Sequence, residues 1–317
     1  MTTDLVASRC RSADDDMHAT GLDDSSPRNQ PKSNLRYDES TTQRFKHIER
    51  VFLGGIDTAR LTRNELANLM VEDCLDRRNR GLPPNLVFSS NGQGIALAGS
   101  DSRFAAALEH ADLVHADGMS VVLASRLLTS RPLPERVPTT DFFHDAAKAG
   151  QPRRLRFYML GGREEINKRA FEEARRKYPG VEWVGRHHGF FGRGDEERVC
   201  ADIVATKADV LWLALGRPHQ EYFAIRNREH LAGVGWIKTC GGLFDFLAGA
   251  NKRAPRWMQQ ICMEWFWRMM QEPQRLMWRY MKTNLQAIWR LAVCSRTYKS
   301  GSSQQAPVPS QRDPGLT

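Results

Sequence analysis

LRFYMLGGREEINKRAFEEARRKY (155–178) decides the fold. Its first part is an apolar run too short for a core helix and closed by Gly161-Gly162, which reads as a buried strand. EEINKRAFEEARRKY then carries the 3.6-residue period of an amphipathic helix. A buried strand running into a surface helix is half of a parallel βαβ unit.

The same alternation extends in both directions. Downstream lie VEWVG, a helix around EERVCADIVATK, the strand DVLWLALG, a helix after Pro218 and the strand GWIKTCGG. Upstream, VFLGGI (51–56) reads as one strand, and Thr62 with Glu65 forms a capping box for a helix through Leu66, Leu69, Met70 and Cys74. NLVFSS is a strand, GIALAG and RFAAALEHA are helical, and LVHA is a short strand leading into Asp117-Gly118. This pattern predicts an α/β fold, a mostly parallel sheet flanked by helices. No short-period internal repeat is present.

The ends differ in character. Residues 1–46 are rich in Asp, Ser, Thr, Asn, Gln and Arg and read as a disordered leader, as does the tail 297–317. Residues 47–250 form the α/β body. Residues 251–296 form a basic, aromatic helical appendage with no strand signal, broken into two helices at Pro273.

The 317 residues carry a net charge of +9, which implies an anionic partner: nucleic acid, an acidic membrane or a phosphate-bearing substrate. The six cysteines contain no C-x-x-C pair, which argues against a zinc ribbon or disulfide framework and for a reducing compartment. No apolar run reaches ~18 residues, and the N-terminus lacks the apolar core of a signal peptide, so a cytoplasmic location is expected.

Ligands of open α/β sheets bind beyond the carboxyl ends of the strands. Residues there include Ser89-Ser90-Asn91, Asp117-Gly118, Gly161-Gly162, LGRPHQE (215–221) and CGGLFDFLAG (240–249). Asp117 suits a general base, while Asp-Gly is also a common turn pair and Asp a common cap for the helix starting near Met119. Gly161-Gly162 is a phosphate cradle or a tight turn, and without G-x-G-x-x-G it supports no dinucleotide site or Rossmann dehydrogenase. Gln220 and Glu221 suit sugar or ribose hydroxyls, or are solvated. His187-His188 lacks a third ligand nearby, and the D-x-D pattern of Asp14-Asp15-Asp16 falls in the leader and not near a strand end, so no metal is expected.

In the appendage Trp257, Trp265, Phe266, Trp267, Trp278 and Trp289 interleave with Arg253, Arg256, Arg268, Arg275, Arg279 and Arg290. This composition suits an interfacial helix on an anionic leaflet, packing on the body, or stacking on nucleic acid. Nucleic acid is disfavoured because the charge concentrates in the appendage and no RNA or DNA motif is present.

NGQGIALA, ADGMSVV, ERVPTTDFF, FYMLGG, YPGVEWVGRHHGFF, LALGRPHQE, GGLFDFLAGANKRAPRW, MEWFWRMMQEP and RLMWRY occur in this order. Together they resemble the WecG/TagA/CpsF family of bacterial glycosyltransferases from about Val51 to Asn284. The resemblance implies a Rossmann-like body with no cofactor. It implies an inverting, metal-independent transfer of N-acetylmannosamine, its uronic acid, glucose or a related hexose. The donor would be a UDP-sugar, and the acceptor a polyprenyl-diphosphate-linked sugar of cell-surface or exopolysaccharide synthesis. By position in the motifs, Asp117 matches the family's base, while Ser89, Asn91, Gly118, Arg136, Asp141, Gly161, Gly162, Gln220 and Glu221 fall in the substrate site. Arg268, Arg275 and Arg279 match arginines of an appendage that closes over the site and touches the inner membrane leaflet. Ser89 stands where the family has Thr, and PTT (138–140) stands where many members have Gly before the Asp. The oligomeric state stays open, a homo-oligomer included.

Overall fold

The structure, a computed structural model, describes residues 44–271 and 273–297. The Asp14–Asp16 triplet lies outside them. Nine strands form one sheet: β1 (Arg50–Leu53), β2 (Ile56–Ala59), β3 (Asn85–Ser90), β4 (Leu113–Ala116), β5 (Arg156–Gly161), β6 (Glu182–His187), β7 (Val210–Ala214), β8 (Trp236–Thr239) and β9 (Arg296–Thr297). Their order is β6-β5-β7-β8-β3-β4-β2-β1-β9. Every pairing from β6 to β2 is parallel, and only β1 with β2 and β1 with β9 are antiparallel. The α/β expectation holds.

Twelve α-helices lie wholly within the described residues. They are α1 (Arg63–Arg77), α2 (Gly92–Ser100), α3 (Ser102–Glu109), α4 (Met119–Leu128), α5 (Thr139–Gly150), α6 (Glu164–Lys177), α7 (Glu196–Ala205), α8 (His219–Arg226), α9 (Leu243–Leu247), α10 (Arg256–Gln260), α11 (Glu264–Gln271) and α12 (Pro273–Val293). One face of the sheet packs against α1, α5, α6 and α9 through Met70, Phe142, Phe143, Ala170 and Phe244. The other meets α2, α3, α4, α7, α8 and α12 through Ile95, Phe104, Val121, Ile203, Phe223 and Leu291. Strands covered on both faces are apolar throughout, which is why β3, β5 and β7 were legible. The capping box is present: Thr62 Oγ1 accepts from Glu65 N at 3.2 Å, and Glu65 Oε2 accepts from Thr62 N at 2.7 Å.

Three local expectations are corrected. VFLGGI is not one strand: Gly54 (φ 58°) and Gly55 (φ 92°) turn it into the β1–β2 hairpin. Within the appendage the chain leaves helical geometry near Cys262 (φ 63°), between α10 and α11, a break that the sequence does not announce. The appendage also ends in a strand, since Arg296 and Thr297 pair with Phe52 and Val51. At the other boundary Phe45, ahead of residue 47, is already buried, 6.1 Å from the Trp236 ring.

Helix α12 is packed on the body. Ala287 and Leu291 are buried, and Arg290 Nε donates to Gly54 O at 3.2 Å. On its other side Leu285, Ile288, Trp289 and Val293 are exposed, an apolar stripe at helical spacing. Cys74, Cys200, Cys240 and Cys262 are free thiols.

Candidate active site

Parallel pairing brings the carboxyl ends of β8, β3 and β4 side by side, so the loops that follow them share one rim. Asp117 is the first residue beyond β4. Its N–H donates to Ser90 O at 2.8 Å, and the Gly118 N–H reaches the same carbonyl at 3.1 Å. A Cβ on Gly118 would sit 3.1 Å from Asn91 Cα, so this close approach of two loops favours glycine. The side chain of Asp117 is half-buried. Oδ1 accepts from Thr139 N at 2.9 Å, at the start of α5, and Oδ2 faces Asn91 Nδ2 at 3.4 Å. Asp117 is therefore not the cap of α4, whose N-cap, Gly118, has no side-chain bond. One oxygen is pinned by a helix N-terminus, and the other holds only a long contact.

Asn91 is the N-cap of α2: its Oδ1 accepts from Gly94 N at 3.0 Å. The same oxygen accepts from Arg217 Nη1 at 3.1 Å. Arg217 Nη2 donates to Ser89 O at 2.7 Å and Ser89 Oγ at 3.3 Å, and its Nε reaches Glu221 Oε1 at 3.1 Å. This nearly buried guanidinium joins the loop after β7 to the end of β3, and through Asn91 to Asp117. The sequence reading of LGRPHQE passed over Arg217. An arginine four residues before a glutamate on a helix start was the available signal, but its partners Ser89 and Asn91 are far away in the chain.

Several expected ligand-binding residues have internal roles. Gln220 and Glu221 are buried, with Gln220 Nε2 donating to Glu221 Oε1 at 3.0 Å and Gly241 N donating to Gln220 Oε1 at 3.1 Å. They fix the β7 and β8 loops to each other instead of presenting donors to solvent. Ser89 is buried as well. The Gly162 N–H donates to Ala214 O at 3.1 Å, so it is already taken, and α6 opens with Glu164 and Glu165, acids that repel phosphate. Gly161-Gly162 is a tight turn here. Depressions of about 540 Å³ beside Trp183 and about 470 Å³ beside His188 and Phe190 lie at the β5–β6 side and do not include Asp117. Among the described residues no group of three or more His, Cys, Asp or Glu side chains is placed to share a metal ion.

The rim over Asp117 is covered by charged pairs between body and appendage. Arg136 Nε donates to Asp117 O at 2.7 Å, and its Nη2 donates to Glu264 Oε2 at 2.6 Å. Arg253 binds both oxygens of Asp141, with Nη2 3.0 Å from Oδ2, and Arg63 adds a contact at 3.3 Å. These guanidinium groups hold the half-buried Asp141 carboxyl below the usual carboxylate range against its desolvation, the largest single influence. Asp141 is thus tied to Arg253, a residue outside the expected site set. The side chains of Arg268, Arg275 and Arg279 lie outside the described residues.

Beneath the rim Lys238 is wholly buried on β8, and its Nζ donates to Thr239 O at 2.6 Å. His115 is also wholly buried, and desolvation pushes it well below its ordinary value, with the Lys238 charge acting in the same direction. Burial brings the Lys238 ammonium down from 10.5 to about 8, opposed by Cys240 and Asp117. Between those values the unfolded chain binds the extra proton, so stability rises with pH across that window and the cost of burying the charge is full below it. Lys238→Met should raise stability at pH 7 by about 1–3 kcal/mol, an advantage that shrinks from pH 8 to 10.5. Urea unfolding of both proteins across that range checks it.

A strand-end carboxylate thus sits beside a rim of paired guanidinium and carboxylate groups, in an α/β body flanked by helices. The model of the glycosyl transferase WecG/TagA/CpsF family matches residues 51–301, and the chain belongs to that family. It is a glycosyltransferase of the hexosyltransferase kind. Among similar proteins, an N-acetylglucosaminyldiphosphoundecaprenol N-acetyl-beta-D-mannosaminyltransferase of Bacillus spizizenii is 32% identical over 179 residues, 56% of this chain and 67% of the relative. The protein of that name from Bacillus subtilis is 31% identical over 196 residues, 62% and 74% of the two chains. One from Staphylococcus aureus is 25% identical over 190 residues, 60% and 73%.

Proposed function

We propose that this enzyme transfers a hexose, N-acetylmannosamine or a relative of it, from a UDP-sugar to a polyprenyl-diphosphate-linked sugar, with inversion and without a metal. The observation that carries this reading is Asp117, whose one oxygen is fixed by the Thr139 N–H while the other faces Asn91 at 3.4 Å. In the reaction the second oxygen takes the proton of the acceptor hydroxyl. The hydroxyl oxygen bonds to the anomeric carbon as the bond from that carbon to the diphosphate oxygen breaks, and UDP leaves with the electron pair. Guanidinium groups at the rim stabilise the growing negative charge, a role given to Arg136 on the strength of its bond to the Asp117 carbonyl and, by the motif resemblance, to Arg268, Arg275 and Arg279. Arg217 and Asn91 orient the base, with Ser89, Gln220 and Glu221 behind them. The acceptor class is drawn from the relatives' names.

Such an acceptor stays in the bilayer, so the enzyme works at a membrane surface. Among the described residues no helix is long and apolar enough to cross one. The exposed stripe of α12 and the net charge of +9 support peripheral contact with an anionic inner leaflet in polysaccharide synthesis. A panel of UDP-sugars offered with a short-chain polyprenyl-diphosphate N-acetylglucosamine tests the reaction by product mass. One added hexose or N-acetylhexosamine residue is expected. No product from any UDP-sugar would overturn the reading.

A further inference from the structure

Four charged groups at the rim are paired crosswise. The body's Arg136 holds the appendage's Glu264 at 2.6 Å, and the appendage's Arg253 holds the body's Asp141 through both oxygens. Both pairs are only partly shielded, with side-chain exposures of 17% and 20% in the first and 27% and 26% in the second. Arg253 Nε is buried without a partner, and Arg136 is itself anchored to the Asp117 carbonyl. Two guanidinium groups with donors to spare thus flank the candidate base, each occupied by a carboxylate of the chain itself.

We infer that Arg136 and Arg253 form a subsite for a diphosphate, and that Glu264 fills its place on Arg136 until that ligand arrives, while Asp141 stays on Arg253. A guanidinium accepts phosphate oxygens in the same forked geometry as a carboxylate, and a diphosphate brings more charge and more acceptors than one carboxylate. The exchange also answers a problem of isolation: guanidinium groups held together with no anion would repel each other, and the two carboxylates remove that cost. An internal competitor lowers the apparent affinity for the ligand by the fraction of time the site is filled. Asp141 is further bound by Arg63, whereas among the described side chains Glu264 accepts from Arg136 alone, so Glu264 is the group that leaves.

The subsite extends the reading above, since either the donor or the lipid-linked acceptor supplies a diphosphate. The test is calorimetric titration of the full chain, wild type and Glu264→Gln, with inorganic pyrophosphate, with UDP and with a short-chain polyprenyl-diphosphate sugar. Glu264→Gln should bind pyrophosphate about three- to tenfold more tightly. The same gain with UDP assigns the subsite to the donor, and with the lipid analogue to the acceptor. Arg253→Gln should weaken the same ligand about tenfold. If Glu264 only fastened the appendage, Glu264→Gln would loosen the cover and bind every ligand equally or less well, which overturns the proposal. A wild type blind to UDP but responsive to pyrophosphate through Glu264 removes the donor reading and leaves the subsite standing.

Discussion

Asp117→Asn leaves the fold intact and lowers the transfer rate by about 10²–10⁴. Asparagine keeps the shape of the side chain, and its carbonyl oxygen still accepts the Thr139 N–H that Asp117 takes at 2.9 Å. Nothing in the core changes, because Asp117 lies at the rim beyond β4. What disappears is the second carboxylate oxygen as a proton acceptor. Affinity for UDP should hold within a few-fold, since the residue is assigned to the acceptor hydroxyl and not to the diphosphate. Single-turnover transfer measured beside UDP binding and a thermal melt separates these effects. Transfer at the wild-type rate by a folded Asn variant would remove Asp117 as the base.

The second large effect concerns the membrane. Leu285→Glu combined with Ile288→Glu should lower binding to anionic vesicles on the order of 100-fold, because each aliphatic side chain buried in the interface contributes about 1.5–3 kcal/mol. Both side chains are exposed, at 74% and 65%, so the fold loses no packing. Activity on a short-chain acceptor in solution should stay near wild type while activity on long-chain acceptor in vesicles falls. Vesicle sedimentation and the two activity assays give the answer. Unchanged sedimentation would assign the stripe to another partner. Deleting the whole appendage is a poorer test, because Ala287 and Leu291 belong to the body's core.

Much of this fold was legible from one rule. Strands covered on both faces are written as unbroken apolar runs, so NLVFSS, RFYMLG and VLWLA announced themselves. The hairpin at Gly54-Gly55 was missed because a glycine pair inside an apolar run is equally compatible with a strand that continues. The two-residue β9 carries no periodicity at all. In the site, the Asp117 position followed from its place after a strand. Arg217 did not, because its function depends on partners at Ser89 and Asn91, which only the adjacency of β7, β8 and β3 brings near. Gln220 and Glu221 show how a tertiary contact escapes the sequence. Polar residues after a strand look like ligand contacts, yet here they are the fastening between two loops.

The β1–β9 pairing limits how the cover can open. The segment between Arg253 and Thr297 is tied down at both extremities, by the Asp141 clamp at its start and by the sheet edge at its finish. It therefore behaves as a strap and not as a free flap: slack has to come from its middle, around α10 and α11, while α12 stays seated. A lipid substrate would then enter sideways beneath a raised arch, with the long helix serving as the fixed abutment.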